Sequence, residues 1–311
     1  MIEIDHNTQV VAGATALLGA AAGMAGSLLL LRRRALMGDA LGHATLPGIA
    51  GAYIVSVWLG GTGKEPWALM LGAAIGALLG VASVIFVRRA ARTSEDTAMA
   101  IVLGSFFGIG TALLTLIQAA PGGHQAGLST FVMGHAASMV TADLQAASIV
   151  AGVCVLLVVS LTKELRMLCF DEAFARAIGR PARVLDAIVL LIVTAVVVAG
   201  LQAVGLILVL ALLVLPASTA RLCTDRFGVM IGLAALFGGV SGIGGTIASS
   251  LATKLPTGPC IVLVGAGLFI LALFLAPQRG YFAQALLTRV RRADLRQRLP
   301  ETSRVDRESR R

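Results

Sequence analysis

The stretch DAIVLLIVTAVVVAGLQAVGLILVLALLVLPAST, Asp186 to Thr219, carries one charged residue, at its first position. Its 34 residues are too long for one ordinary bilayer crossing and short for two full ones. The choice fixes the side of a membrane on which the remaining chain emerges. That a membrane is involved follows from composition: 57% of the 311 residues are hydrophobic and 13% are charged, with a mean hydropathy of +0.90. A water-soluble protein of this length has no interior large enough to hide so much apolar surface, whereas lipid accepts it.

Outside that stretch, apolar windows of spanning length run Val10–Leu31, Ala40–Leu59, Trp67–Val87, Thr97–Ala119, Asp143–Leu161, Val229–Thr253 and Pro259–Ala276. Two crossings within Asp186–Thr219 place 23 of the 25 basic residues on one side, leaving Lys64 and Lys254 on the other. Cytoplasmic loops collect Lys and Arg in this way. The expected fold is therefore all-α: a polytopic membrane helix bundle of about nine transmembrane helices, N-terminus outside and C-terminus cytoplasmic. The sixth and seventh are read as short and folded back near Gly200–Gly205. Eight or ten crossings also fit, because transporters break helices where they line a path.

Residues 1–280 are read as one transmembrane domain and residues 281–311 as a basic cytoplasmic tail, partly disordered. The net charge of +9 then serves the anionic lipid bilayer, and no aromatic platform suggests nucleic acid. The GxxxG spacings of Gly19 with Gly23, Gly72 with Gly76 and Gly80, and Gly104 with Gly108 read as helix packing. Cys154, Cys169, Cys223 and Cys260 lie far apart without a CxxC pair and are read as inert. The acidic opening MIEIDHNTQ has no positive n-region of a cleavable signal.

Within the second apolar region, GDALGHATLPG (Gly38–Gly48) holds Asp39 and His43 at i and i+4. An ionisable side chain at hydrocarbon depth costs about 2.5 kcal/mol or more, so it normally meets a partner or a watery path. Both side chains reach one ion, or one another, across about 6 Å of helix rise. Imidazole with carboxylate suits zinc, manganese or iron(II), whereas copper(I) asks for sulfur. Pro47 cannot donate to the carbonyl of His43, which frees that oxygen. A metal site, a proton site and a packing hydrogen bond all remain open on these residues alone. Asp39 lies about 7.5 Å beyond Arg34 on a straight helix, near the inner end and away from the midplane.

In the longest inner loop, FDEAFARAIGRP (Phe170–Pro181) predicts a short helix. Asp171 is its N-cap, Glu172 follows in the first turn, Gly179 takes the left-handed position and Pro181 prevents continuation. Phe174, Ala177 and Ile178 form its apolar face, suited to lipid or to a cytoplasmic partner. The chain carries no GxxxxGK[ST] phosphate loop, and GGVSGIGG (Gly238–Gly245) reads as packing.

Four ordered blocks resemble the membrane-spanning permease subunit of bacterial zinc/manganese/iron-type ABC importers. They are RRRALMGDALGHATLPGIA (Arg32–Ala50), DEAFARAIGRPARVLD (Asp171–Asp186), LQAVGLILVLALLVLPASTARL (Leu201–Leu222) and LPTGPCIVLV (Leu255–Val264). The resemblance implies a non-enzymatic subunit of the bacterial inner membrane. Its partners would be a separate ABC ATPase, an extracytoplasmic metal-binding protein and a second copy of itself. It implies no permanently bound cofactor, with manganese, zinc or iron(II) as cargo on Asp39 and His43. Asp171, Glu172, Phe174, Arg176, Ala177, Ile178 and Gly179 would form the helix that couples to the ATPase. Where the family commonly has serine before the histidine, Gly42 stands here and removes a hydroxyl ligand. Pro47, Gln202 and Pro216 are candidates for path lining or hinges. His124 and His135 are candidates for an outer ion relay, His6 reads as incidental, and Asp143 and Asp186 read as carboxylates at helix starts. The competing functions are a proton-coupled secondary transporter, an ABC permease for metal chelates and a non-transporting scaffold.

Overall fold

The computed structural model describes residues 6–63, 65–119, 141–251, 255–276, 278 and 280–281. His124, His135 and the tail from residue 282 lie outside them. The described residues contain eleven α-helices and no strand: α1 (His6–Leu31), α2 (Ala35–Trp58), α3 (Pro66–Ala90), α4 (Glu95–Ala119), α5 (Thr141–Ser160), α6 (Thr162–Phe170), α7 (Glu172–Ala177), α8 (Ala182–Val204), α9 (Leu206–Cys223), α10 (Phe227–Ser250) and α11 (Thr257–Leu275). Eight are long and apolar enough to cross a bilayer, and α5 with α6 makes a ninth if that bent pair is one span.

The opening stretch does form two helices, and the break falls at Gly205, whose φ of 87° is open to glycine but disfavoured for other residues. A side chain at Gly200 would collide with Val209, so the chain doubles back there. These helices are less short than the sequence suggests, at 23 and 18 residues. Both extend past the apolar window, α8 starting four residues earlier at Ala182 and α9 ending four later at Cys223. Asp186 is thereby moved from a helix start into the second turn of α8.

The fifth span also differs from expectation. Its helix turns by 74° at Leu161. Thr162 Oγ1 donates to the carbonyls of Val158 (2.7 Å) and Val159 (2.9 Å), a local competition that bends helices. Beyond the bend, α6 carries Lys163, Glu164 and Arg166, with Leu165 and Leu168 buried.

Of the spans, α1 is the most enclosed, 72% of its central window being buried, and α4 the least, at 17%. Glycine sets the closest approaches. Side chains added at Gly19 and Gly23 would overlap the carbonyls of Gly238 and Ala234 on α10, and one at Gly26 the carbonyl of Leu213 on α9. On α3, Gly72, Gly76 and Gly80 meet Gly48, Ala44 and Ala52 of α2. Gly238, Gly242 and Gly245 pack on α1 and α11 as expected. Gly104 and Gly108 do not follow this rule, because nothing lies within 4 Å of a side chain at either position. Among the described residues nothing packs on that face of α4 at these two positions.

Alanine at Gly48 would strike the Gly72 carbonyl and stand 2.9 Å from Gly76 Cα, whereas at Gly51 it would meet nothing within 4 Å. Overpacking against backbone costs about 1–3 kcal/mol, so Gly48→Ala is expected to lower unfolding stability in detergent by that amount. Gly51→Ala should leave it level or slightly raised, as measured by thermal unfolding of both purified variants.

Candidate metal path

The helix that carries Asp39 and His43 begins at Ala35, with Arg34 as its N-cap. Asp39 therefore sits in its second turn, close to the inner end, as the rise from Arg34 predicts. Three neighbours confine α2. Gly48 packs against Gly72 and Gly76 of α3, Gly38 and Gly42 receive Leu213, Leu206 and Leu210 of α9, and Leu46 and Pro47 abut Gly110 of α4. Asp39 and His43 lie where α4 and α9 flank this helix.

His43 Nε2 stands 3.4 Å from Asp39 Oδ1, the side chains being 21% and 39% exposed. That distance is longer than a good N–H···O bond. It also matches two ligands of one ion: metal–ligand distances of about 2.0–2.1 Å to each atom subtend roughly 110°, close to tetrahedral. The ring packs edge-on against Phe107 of α4, centroids 5.0 Å apart at 78°. Its Nδ1 is buried without a partner, so Nε2 is the nitrogen free to reach an ion. The pair is not sealed inside the chain, since the Asp39 side chain is 39% exposed. Among the described residues no three His, Cys, Asp or Glu side chains cluster as a metal centre, so these two form a partial ligand set.

The other candidates scatter. Pro47 is half-buried one turn above His43, and α2 runs through it unbroken. Pro216 is buried in α9, close to where a Gly23 side chain would lie, a packing position on α1. Gln202 lies in the last turn of α8, just before the Gly205 break. The cysteines are free, and the Cys154 thiol points to the Ala21 carbonyl at 3.8 Å.

The short helix of the Phe170–Pro181 loop forms, over Glu172–Ala177. Asp171 Oδ1 accepts the Phe174 N–H at 2.8 Å, Gly179 has φ 77°, and Pro181 caps the next helix. Only Ala175 of α7 is buried, while Phe174 and Ile178 are about half exposed. Beside it opens a cleft of about 1020 Å³ lined by Phe170, Phe174, Arg166, Arg180, Arg226 and Phe227, among others.

Sequence reasoning missed the ion cluster at the inner end. Arg32 and Arg34 are not solvated loop charges, since their side chains are only 6% and 9% exposed. Their carboxylate partners, Glu95, Glu172 and Asp186, come from three other helices. Burial alone would lower the pKa of the Arg34 guanidinium, but the Asp186 and Glu95 carboxylates reverse that and hold it above its ordinary value. The signal available in the sequence was the position of these carboxylates, each at or near the N-terminal start of a helix.

Comparison with known proteins gives the same architecture. The model of the ABC 3 transport family matches residues 5–276. The manganese transport system membrane protein MntC of Bacillus subtilis is 41% identical over 300 residues, covering 96% of this chain and 68% of that protein. The zinc transport system membrane protein TroC of Treponema pallidum is 41% identical over 293 residues, covering 94% and 96%. Among solved structures, PsaBC from Streptococcus pneumoniae in complex with Fab superimposes with a TM-score of 0.75 at 28% identity, covering 90% of this chain and 95% of that one. With a matched region that runs from before α1 to the end of α11, and the multi-pass helix bundle described above, this chain belongs to the ABC 3 transport family and is a membrane permease subunit.

Proposed function

We propose that this permease imports a divalent transition metal across the bacterial inner membrane, with Asp39 and His43 touching the ion as it passes. The observation that carries the reading is the 3.4 Å gap between carboxylate and imidazole on the open side of α2. Two protein ligands bind a cation too loosely to store it but well enough to strip part of its water, which suits passage. The freed His43 carbonyl below Pro47 is a third oxygen of the right kind. Borderline nitrogen and oxygen ligands favour manganese, zinc or iron(II), and the relatives named for manganese and zinc transport support the first two.

In this reading the N-terminus lies outside and the arginine-rich face lies in the cytoplasm. A homodimer completes the path, an extracytoplasmic binding protein delivers the ion, and ATP is hydrolysed on a separate ABC subunit. The docking element is α7 with Asp171, Glu172, Phe174, Arg176, Ala177, Ile178 and Gly179. A six-residue helix with one buried residue is too short to persist unaided, and its half-exposed Phe174 and Ile178 offer a hydrophobic plug beside the adjoining cleft.

Asp39→Ala and His43→Ala should each reduce uptake by at least the roughly 10- to 100-fold that loss of a supporting metal-site residue costs, with the assembled complex still purified intact. Wild-type accumulation in either variant removes the site. Uptake should stop on ATP depletion and survive collapse of the proton gradient; the reverse result identifies a proton-coupled transporter.

Phe174→Asp should release the ATPase subunit during purification without changing the thermal stability of the isolated permease, because the ring is 54% exposed. Retention of the ATPase by this variant excludes Phe174 from the docking surface.

A further inference from the structure

The α1–α2 turn buries two cations that the transport path does not use. Arg33, between them, adopts φ 58°, a left-handed turn that leaves its neighbours directed into the protein. Arg32 Nη1 donates to the Leu168 carbonyl of α6 at 3.0 Å. Its Nη2 meets Asp186 Oδ1 of α8 at 2.9 Å and Glu172 Oε2, the first residue of α7, at 3.3 Å. Arg34 Nη1 donates to both Asp186 oxygens, at 2.7 and 2.9 Å. Its Nη2 meets Glu95 Oε1 of α4 at 2.7 Å, and Arg88 of α3 reaches the same oxygen at 2.7 Å. Asp186 is thus the node on which both buried arginines converge.

The geometry has a direction. One end of this chain of contacts is the docking helix; just beyond it, among the described residues, Arg180 pairs with Glu164 of α6 at the surface at 3.6 Å. The other end is Arg34, the cap of α2, five residues before Asp39. Buried pairs with several acceptors per guanidinium resist sliding, because releasing any one oxygen strands a charge out of water. Flexible surface pairs would absorb a displacement; the links of Arg32 and Arg34 to Asp186 hold their spacing, and the Glu172 carboxylate, 38% exposed, is the outermost contact.

We propose that Arg32 and Arg34, joined through Asp186, are the strut that carries movement of the docking helix to α2, and so ties ATP hydrolysis to the opening of the Asp39–His43 site. The proposal rests on the permease reading above and assigns Arg32, Arg34 and Asp186 as positioning residues, with Glu172 of the docking helix as the contact through which they receive the movement. None of them contacts the cargo. The strut also accounts for the site lying only one turn from the inner end of α2: there a short lever suffices, and no coupling need cross the bilayer.

The test uses the full complex of permease, ATPase and binding protein in proteoliposomes, with Mn²⁺ uptake and phosphate release read from the same vesicles. Arg32→Lys keeps the charge but cannot present a planar fork to two carboxylates and a carbonyl. Asp186→Asn weakens the node at which both arginines meet. Each should leave the ATPase co-purifying with the permease while ions taken up per ATP hydrolysed fall about tenfold, the size of an ordinary coupling energy. Arg89→Gln, an exposed arginine on the same rim without an ion pair, should leave the ratio at the wild-type value. An unchanged ratio in both strut variants overturns the proposal. Loss of the ATPase from Asp186→Asn also overturns it, since the node would then act in docking itself. ATP-independent uptake by the wild type is a different failure, that of the permease reading.

Discussion

Lipid is as apolar as leucine, so helices inside a bilayer gain nothing from merely turning oily faces toward each other, and contact must come from close backbone approach. This constraint organises the whole bundle. Glycines bring α1 to within backbone contact of α10 and α9, and α2 to within backbone contact of α3. None of these approaches tolerates a methyl group, so the helices can rotate little about their axes. Because α2 is gripped by small-residue contacts on three flanks, the face left over is fixed as well, and it holds Asp39 and His43.

Charge follows a second logic. A guanidinium at a membrane rim can snorkel into water at little cost, as the exposed Arg33, Arg88 and Arg89 do. Arg32 and Arg34 instead lie inside the protein and are matched there by carboxylates from α4, α7 and α8. Replacing such a cluster with hydrophobic packing would often be neutral for stability. A role that packing cannot fill is a rigid, directional link between helices, and the geometry of this cluster suits it.

Much of this was legible in the residues. The apolar windows located the spans, the distribution of 23 basic residues selected two crossings for Asp186–Thr219, and Asp171, Gly179 and Pro181 marked both ends of α7 by cap chemistry alone. Asp39 and His43 stood out because ionisable pairs are expensive in oil. What could not be read were interactions between distant segments. Arg34 and Asp186 are 152 positions apart, and no periodicity links them. The bend at Leu161 was hidden because hydropathy reports on burial in lipid, whereas the threonine hydroxyl at 162 acts on backbone carbonyls. The GxxxG spacing of Gly104 and Gly108 misled for the complementary reason: the spacing permits close approach but does not supply the helix that approaches.

The placement of both proposed ligands on one helix constrains how the permease would release its cargo. Asp39 and His43 are one turn apart on α2, so rigid-body motion of that helix leaves their separation unchanged, and affinity cannot be switched by pulling them apart. What can change is the remainder of the coordination sphere and its access to water. Phe107 of α4 packs on the imidazole, and Leu206 and Leu210 of α9 lie against Gly42. Displacing α2 relative to these walls would alter how many waters reach the ion while the two fixed ligands stay in place. Arg34 binds the inner end of α2 to α4 through Glu95 and to α8 through Asp186, so the same side chain that would carry the stroke also sets how α2 can move against α4. On this argument the chemistry of binding is static and that of release is steric, a division that suits a permease whose energy arrives as movement from outside the membrane.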